Sequence, residues 1–177
     1  MGTQETAAAL HRLQTLLQRH PDVGMHDDAP ATARWEGGTR VATRHADGTR
    51  IDTDIPAELG GTNTAVSPGW LSRAALAACA TTRIVMQAAQ DGIELAGLEV
   101  HASSRSDARG VLGLAGADGR TVSAGPLGYE LAVRISAPRE SAERLHALVE
   151  AACRCSPVAS AIREPAPVTL RVEVWSS

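Results

Sequence analysis

The chain has 177 residues, 44% of them hydrophobic and 21% charged, with a formal net charge of −3. That length suits one ordinary domain with a terminal appendage, and the composition excludes a disordered chain. No apolar run approaches the ~20 residues that span a bilayer, so no membrane partner is expected. The opening residues lack the basic and apolar regions of a secretory signal, which makes the cytoplasm the expected location.

The 17 basic residues are all arginine and are outnumbered by 20 acidic ones. They are scattered, and the aromatic residues are only Trp35, Trp70, Trp175 and Tyr129, so neither a basic stripe nor a base-stacking platform is present and no nucleic-acid partner is expected. The cysteines are Cys79, Cys153 and Cys155. An odd number without C-x-x-C spacing points away from a disulfide framework or a zinc site and toward free thiols.

In chain order, residues 4–19 carry apolar residues at helical spacing, Leu10, Leu13 and Leu17 among them, and His20-Pro21 ends that helix. Residues 21–30 are rich in turn-forming residues. Residues 1–30 therefore read as a helical extension and linker laid on a main body of residues 31–177. Two turn signals, Gly37-Gly38 and Asp47-Gly48, divide the next stretch into three antiparallel strands near 31–36, 39–45 and 49–54. A long loop, 56–67, follows.

Ser67 is a good N-cap and Pro68 suits the first helical position, so 68–90 is predicted as one long helix closed by Gly92. Leu71, Ala75, Ala78, Cys79, Thr82 and Met86 are assigned to one face, which places Cys79 in the interior. Strands are predicted at 93–106 and 127–137, the latter with Tyr129, Leu131, Val133 and Ile135 on one face. A second amphipathic helix over 139–154 buries Leu145, Leu148, Val149 and Ala152, and Ser156-Pro157 breaks it. A short turn runs through Ala161, and a last strand is predicted near 168–175. Grouped strands and helices define an α+β fold.

No phosphate-binding loop, nucleophile elbow or histidine pair is present, so neither cofactor nor metal is expected. The candidate nucleophile is Cys79, whose ordinary role would be a small buried hydrophobe. A reactive thiol needs a nearby cation. Arg83, one turn on, either reaches back over the sulfur or points to solvent.

The segment GGTNTAVSPGWLSRAALAACATTRIVMQAAQDGIELAGLEV resembles the central part of the OsmC/Ohr family, the osmotically induced and organic-hydroperoxide-resistance proteins. Cys79 stands eleven residues after Pro68, as the cysteine stands eleven residues after the proline in that family. CRCSPVASAI at 153–162 resembles its Cys-Pro-Val-Ser element, and HADGTRIDTDIPAELGG its hairpin and loop. The resemblance implies an intertwined homodimer with antiparallel sheets wrapped around the long Cys-bearing helix, here with an extra N-terminal helix. It implies a peroxidase in which Cys79 attacks an organic hydroperoxide, a second cysteine closes a disulfide, and a dithiol reductant, lipoyl-type in one branch, reopens it. An arginine from the N-terminal strands would stabilise the thiolate, with Arg40 chosen among Arg34, Arg40, Arg44 and Arg50. Trp70 and Pro68 are assigned to an apolar substrate pocket.

The sequence departs from the family at two points. Gly69 stands where the family has the glutamate that holds the arginine. Ser156, not cysteine, precedes Pro157, leaving Cys155 one residue early as the candidate resolving thiol, while Cys153 is assigned to packing. These departures leave a second reading: a non-catalytic homodimer that binds a small apolar ligand.

Overall fold

The computed structural model describes residues 2–175. Its helices are α1 (Thr3–Arg19), α2 (Pro68–Gln90), α3 (Ala108–Val111), α4 (Ala142–Arg154) and α5 (Pro157–Arg163). Its strands are β1 (Thr32–Trp35), β2 (Val41–Arg44), β3 (Arg50–Thr53), β4 (Gly97–Arg105) and β5 (Gly128–Ser136). β1, β2 and β3 form one antiparallel meander, in which Val41 faces Trp35 on one side and Thr53 on the other. β4 and β5 form a second antiparallel pair, with Val100 opposite Val133 and Leu98 opposite Ile135.

The long helix starts and stops for local reasons. Ser67 Oγ accepts from Trp70 N–H at 3.1 Å, and Pro68 occupies the first turn. At the other end Gly92 takes φ +68°, a region that favours glycine. Ile93 N–H then donates to Ala88 O at 2.8 Å and Gly92 N–H to Ala89 O at 3.2 Å, which satisfies the last carbonyls. This closure tucks Ile93 into the core beside Ala88, so β4 begins at Gly97 rather than near residue 93.

The core is built on Ile84 and Ala88 of α2, on Leu145, Leu148 and Ala152 of α4, and on Ile93 and Ala137. Leu98, Val100, Val133 and Ile135 of the β4–β5 face pack against it. The buried line of α2 runs Leu76, Ala80, Ile84, Ala88 at i, i+4 spacing. Ala75, Ala78 and Thr82 of the expected face are exposed, and Cys79 is half-buried rather than interior. The correction has a simple cause. An alanine-rich helix has little hydrophobic contrast between its sides, and the large residues Leu76 and Ile84 decide which side turns inward.

Two parts of the chain lack close packing partners. Among the described residues the β1–β3 meander packs closely against no other helix or strand, and Trp35 on it is 74% exposed. The strand expected near 168–175 is absent: residues 165–175 have no regular structure, with Val168 95% and Val174 90% exposed. Alternation of apolar and polar residues marks two faces, but a strand also needs a neighbour for its backbone groups, and none is present there among the described residues. The turn expected after Pro157 is the full helix α5.

The loop from β3 to α2 is organised by Asp54, which is 1% exposed. Its Oδ1 accepts from Thr39 Oγ1 at 2.6 Å and Ile55 N–H at 2.8 Å. Its Oδ2 accepts from Thr62 Oγ1 at 2.5 Å and Thr62 N–H at 2.9 Å. Gly61 fits beneath because a Cβ there would come within 1.8 Å of Ile55 O. The bonds from Thr39 and Thr62 hold the Asp54 carboxyl well below the usual carboxylate range. A depressed folded-state value means that its stabilisation is complete above the unfolded value and fades as pH falls below it. Asp54→Asn is therefore expected to lower Tm by several degrees at neutral pH, with the gap from wild type narrowing below about pH 4. Thermal melts between pH 7 and pH 3 measure this, and a gap independent of pH would refute it.

Candidate active site

Cys79 lies midway along α2, and α5 packs against that helix. Ser156, the residue before α5, is 0% exposed, and its Oγ donates to Cys79 Sγ at 3.3 Å. A serine at a helix N-cap ordinarily accepts a bond from the first turn. Ser156 makes no such cap bond, and its hydroxyl is committed to the sulfur instead.

The cation is less fully assembled in the single chain. Arg83 is half-buried; its Nη1 donates to Met86 Sδ at 3.7 Å, and its buried Nε has no partner. Among the described residues no guanidinium hydrogen-bonds to Cys79. Arg40 is exposed, precedes β2, and lines a cavity of about 370 Å³ with Glu36, Arg50, Asp52 and Thr64. Arg50 in that cavity is held by Glu36 at 2.7 Å and Asp52 at 2.7 Å. Arg40 makes no side-chain hydrogen bond or ion pair among the described residues, and Cys79 is not part of that cavity.

The other candidates are spread out. Cys155 caps the C-terminal end of α4 and is exposed, its N–H donating to Ala152 O at 3.1 Å. Cys153 is half-buried against the core, and burial pushes its thiol upward despite the opposing charge of Arg163. Trp70, 47% exposed, lies nine residues before Cys79, about 13 Å along the helix, and Pro68 is two residues farther. Neither can touch a group bound at Cys79 of the same chain without a second element to close the distance. The residue that sequence reasoning left without a role is Ser156. The available signal was its place before Pro157, where the resembling family has its second cysteine.

No group of three or more His, Cys, Asp or Glu side chains able to hold a metal occurs among the described residues. No helix among them is long and apolar enough to cross a membrane.

Residues 61–171 match the family model described as OsmC-like protein, and the chain belongs to this OsmC/Ohr family. Solved structures share the fold. An OsmC-like protein of Mycoplasma pneumoniae superposes with a TM-score of 0.66 at 16% identity, over 80% of this chain and 91% of that one. An organic hydroperoxide resistance protein OsmC of Legionella pneumophila gives 0.55 at 24% identity, over 79% and 92%. OhrB of Bacillus subtilis, an organic hydroperoxide resistance protein, gives 0.51 at 24% identity, over 78% and 93%. No curated protein sequence matches the chain.

The family glutamate missing at position 69 is not excluded by space. A Cβ on Gly69 meets nothing closer than 3.9 Å, the nearest atoms being Arg73 Nη1 and Ser67 Oγ. Gly69→Glu places a better helix former and a negative charge in the first turn of α2. It is expected to stabilise the protein by roughly 0.5–1 kcal/mol, raising Tm by about 2 °C in calorimetry. A lowered Tm would show that the first turn is packed differently.

Proposed function

We propose that the protein is a thiol-dependent peroxidase for organic hydroperoxides, with Cys79 as the attacking sulfur, working as a homodimer in peroxide defence. The observation that carries this reading is the half-buried Cys79 thiol receiving a hydrogen bond from the fully buried Ser156 hydroxyl. The names of the Legionella and Bacillus proteins that share its fold agree with it.

In the proposed reaction the Cys79 thiolate attacks the distal peroxide oxygen. The S–O bond forms as the O–O bond breaks, sulfur is oxidised to sulfenic acid, and the alkoxide leaves to take a proton as alcohol. Arg83, one turn from Cys79 and with Nε unpartnered, is the cation nearest in sequence. Arg40 is the second cation, carried to the sulfur by the β1–β3 meander of a partner copy. A meander without close packing in its own chain and an exposed, alternating segment at 168–175 are the surfaces such a dimer would bury.

Cys79→Ser is expected to abolish consumption of cumene hydroperoxide in the presence of dithiothreitol, while circular dichroism and Tm stay near wild type. Arg40→Ala is expected to slow the second-order rate of thiol oxidation by about 100-fold or more, judged by the roughly 2.7–4 kcal/mol that a lost transition-state donor costs. Truncation after Pro165 is expected to shift the protein from dimer toward monomer in analytical ultracentrifugation. Thiol oxidation no faster than that of free cysteine would favour the non-catalytic, ligand-binding homodimer, which the lack of a guanidinium bonded to Cys79 in the single chain also fits.

A further inference from the structure

Position 156 decides how the oxidised site is cleared. We propose that Cys79 works without a resolving thiol of its own chain: its sulfenic acid is held against the Ser156 hydroxyl and removed by an external small-molecule thiol. This rests on the peroxidase reading of Cys79.

Packing of α5 on α2 brings residue 156 to the sulfur, and residue 156 is a serine. A hydroxyl 3.3 Å from Sγ can donate a hydrogen bond to a thiolate or a sulfenate, but it cannot form a disulfide. Cys155 is held one position earlier by the last turn of α4, through its N–H bonds to Ala152 O and Cys153 O, and is exposed. Bringing its sulfur to Cys79 requires breaking that turn and expelling Ser156 from a site with no solvent exposure. Cys153 packs against the core that contains Ala152 and Leu148, and its raised thiol value leaves less thiolate to attack at neutral pH.

The cycle then balances with an outside reductant. The thiolate of a small thiol attacks the Cys79 sulfenic sulfur, a new S–S bond forms, and hydroxide departs as water after protonation. A second thiol group, from another monothiol or from the same dithiol, attacks the mixed disulfide and returns Cys79 as thiolate. In sum, one hydroperoxide and two thiol groups give one alcohol, one water and one disulfide. In the single chain Cys79 is half-buried rather than sealed in the core.

Intact-mass analysis after one equivalent of tert-butyl hydroperoxide tests the proposal. The reduced wild-type protein is expected to lose one thiol, gain the mass of one oxygen and form a dimedone adduct mapped to Cys79. Subsequent 2-mercaptoethanol is expected to give a mixed disulfide at Cys79, and dithiothreitol to restore the free thiol directly. Ser156→Cys is expected to cut the dimedone adduct by about tenfold or more, because the introduced thiol captures the sulfenic acid first. Loss of two thiols in the wild type, with an intrachain bridge from Cys79 to Cys155 or Cys153, would overturn the proposal. Diamide separates this failure from failure of the peroxidase reading. It should bridge Cys79 to the introduced thiol in Ser156→Cys whether or not peroxide reacts, and no bridge would overturn the geometry. A bridge with diamide but no peroxide oxidation of the wild type would overturn the peroxidase reading, and the resolution step with it.

Discussion

Alanines at 80, 88 and 89, buried along α2, determine how closely the rest of the chain can approach that helix. A methyl side chain lets neighbouring elements approach, and α1, α4, α5 and β4 all pack on α2. Large side chains are reserved for the places where they lock the arrangement, Ile84 at the meeting with α4 and Leu148 facing it from that helix. Close approach of α5 is what presses Ser156 onto Cys79. Replacing a buried alanine with a larger residue would therefore disturb the Ser156–Cys79 contact as well as the packing, because the hydroxyl reaches the sulfur only while α5 is fully seated.

The polar contacts around this core tie sheet to helix at a few points. Tyr129 on β5 shares a hydrogen bond with Ser72 on α2 at 2.8 Å, and Arg73 donates to Ser104 on β4 at 3.2 Å. Among the described residues the β1–β3 meander has no equivalent tie to α2; its order comes from its own ladder and from the Asp54 network beneath it. A carboxylate with this many donors needs no counter-ion to remain charged while buried. The network thus holds the meander and the loop to α2 in shape without help from the main core. A module shaped in this way can be presented to another copy of the chain as a preformed surface, which lowers the ordering cost of association.

Much of this architecture could be read from particular residues. Asp47-Gly48, Ser67-Pro68, Gly92 and Ser156-Pro157 each combine a conformational preference with a place in the hydrophobic pattern, and elements begin or end beside each of them. The stripe on α4 was legible because Leu145 and Leu148 contrast with charged neighbours. On α2 that contrast is weak, and the buried line was assigned to the wrong side. The segment 168–175 failed for a different reason: alternation is a local property, whereas strand pairing depends on another backbone. At the site, the thiol on α2 was visible as a candidate, but its contact spans 77 positions in sequence. Only the resemblance of Ser156-Pro157 to the family's Cys-Pro element signals that a serine so distant meets the sulfur.

The substitution of hydroxyl for thiol at position 156 also bears on what kind of site this is. An internal second cysteine would clear a sulfenic acid at high effective concentration and make the site nearly independent of the reductant's access to Cys79. Under the proposed peroxidase reading, serine at this position leaves oxidised Cys79 to a thiol from solution, and access to the sulfur becomes part of that mechanism. The half-buried state of Cys79 is consistent with that demand, whereas a sealed thiol in the interior would protect itself from peroxide and reductant alike. Burial of Ser156 meets the opposite need, since a hydroxyl shielded from water keeps its proton directed at the sulfur instead of exchanging partners with solvent. A half-buried sulfur beside a sealed hydroxyl is the arrangement that the proposed dependence on outside thiols calls for.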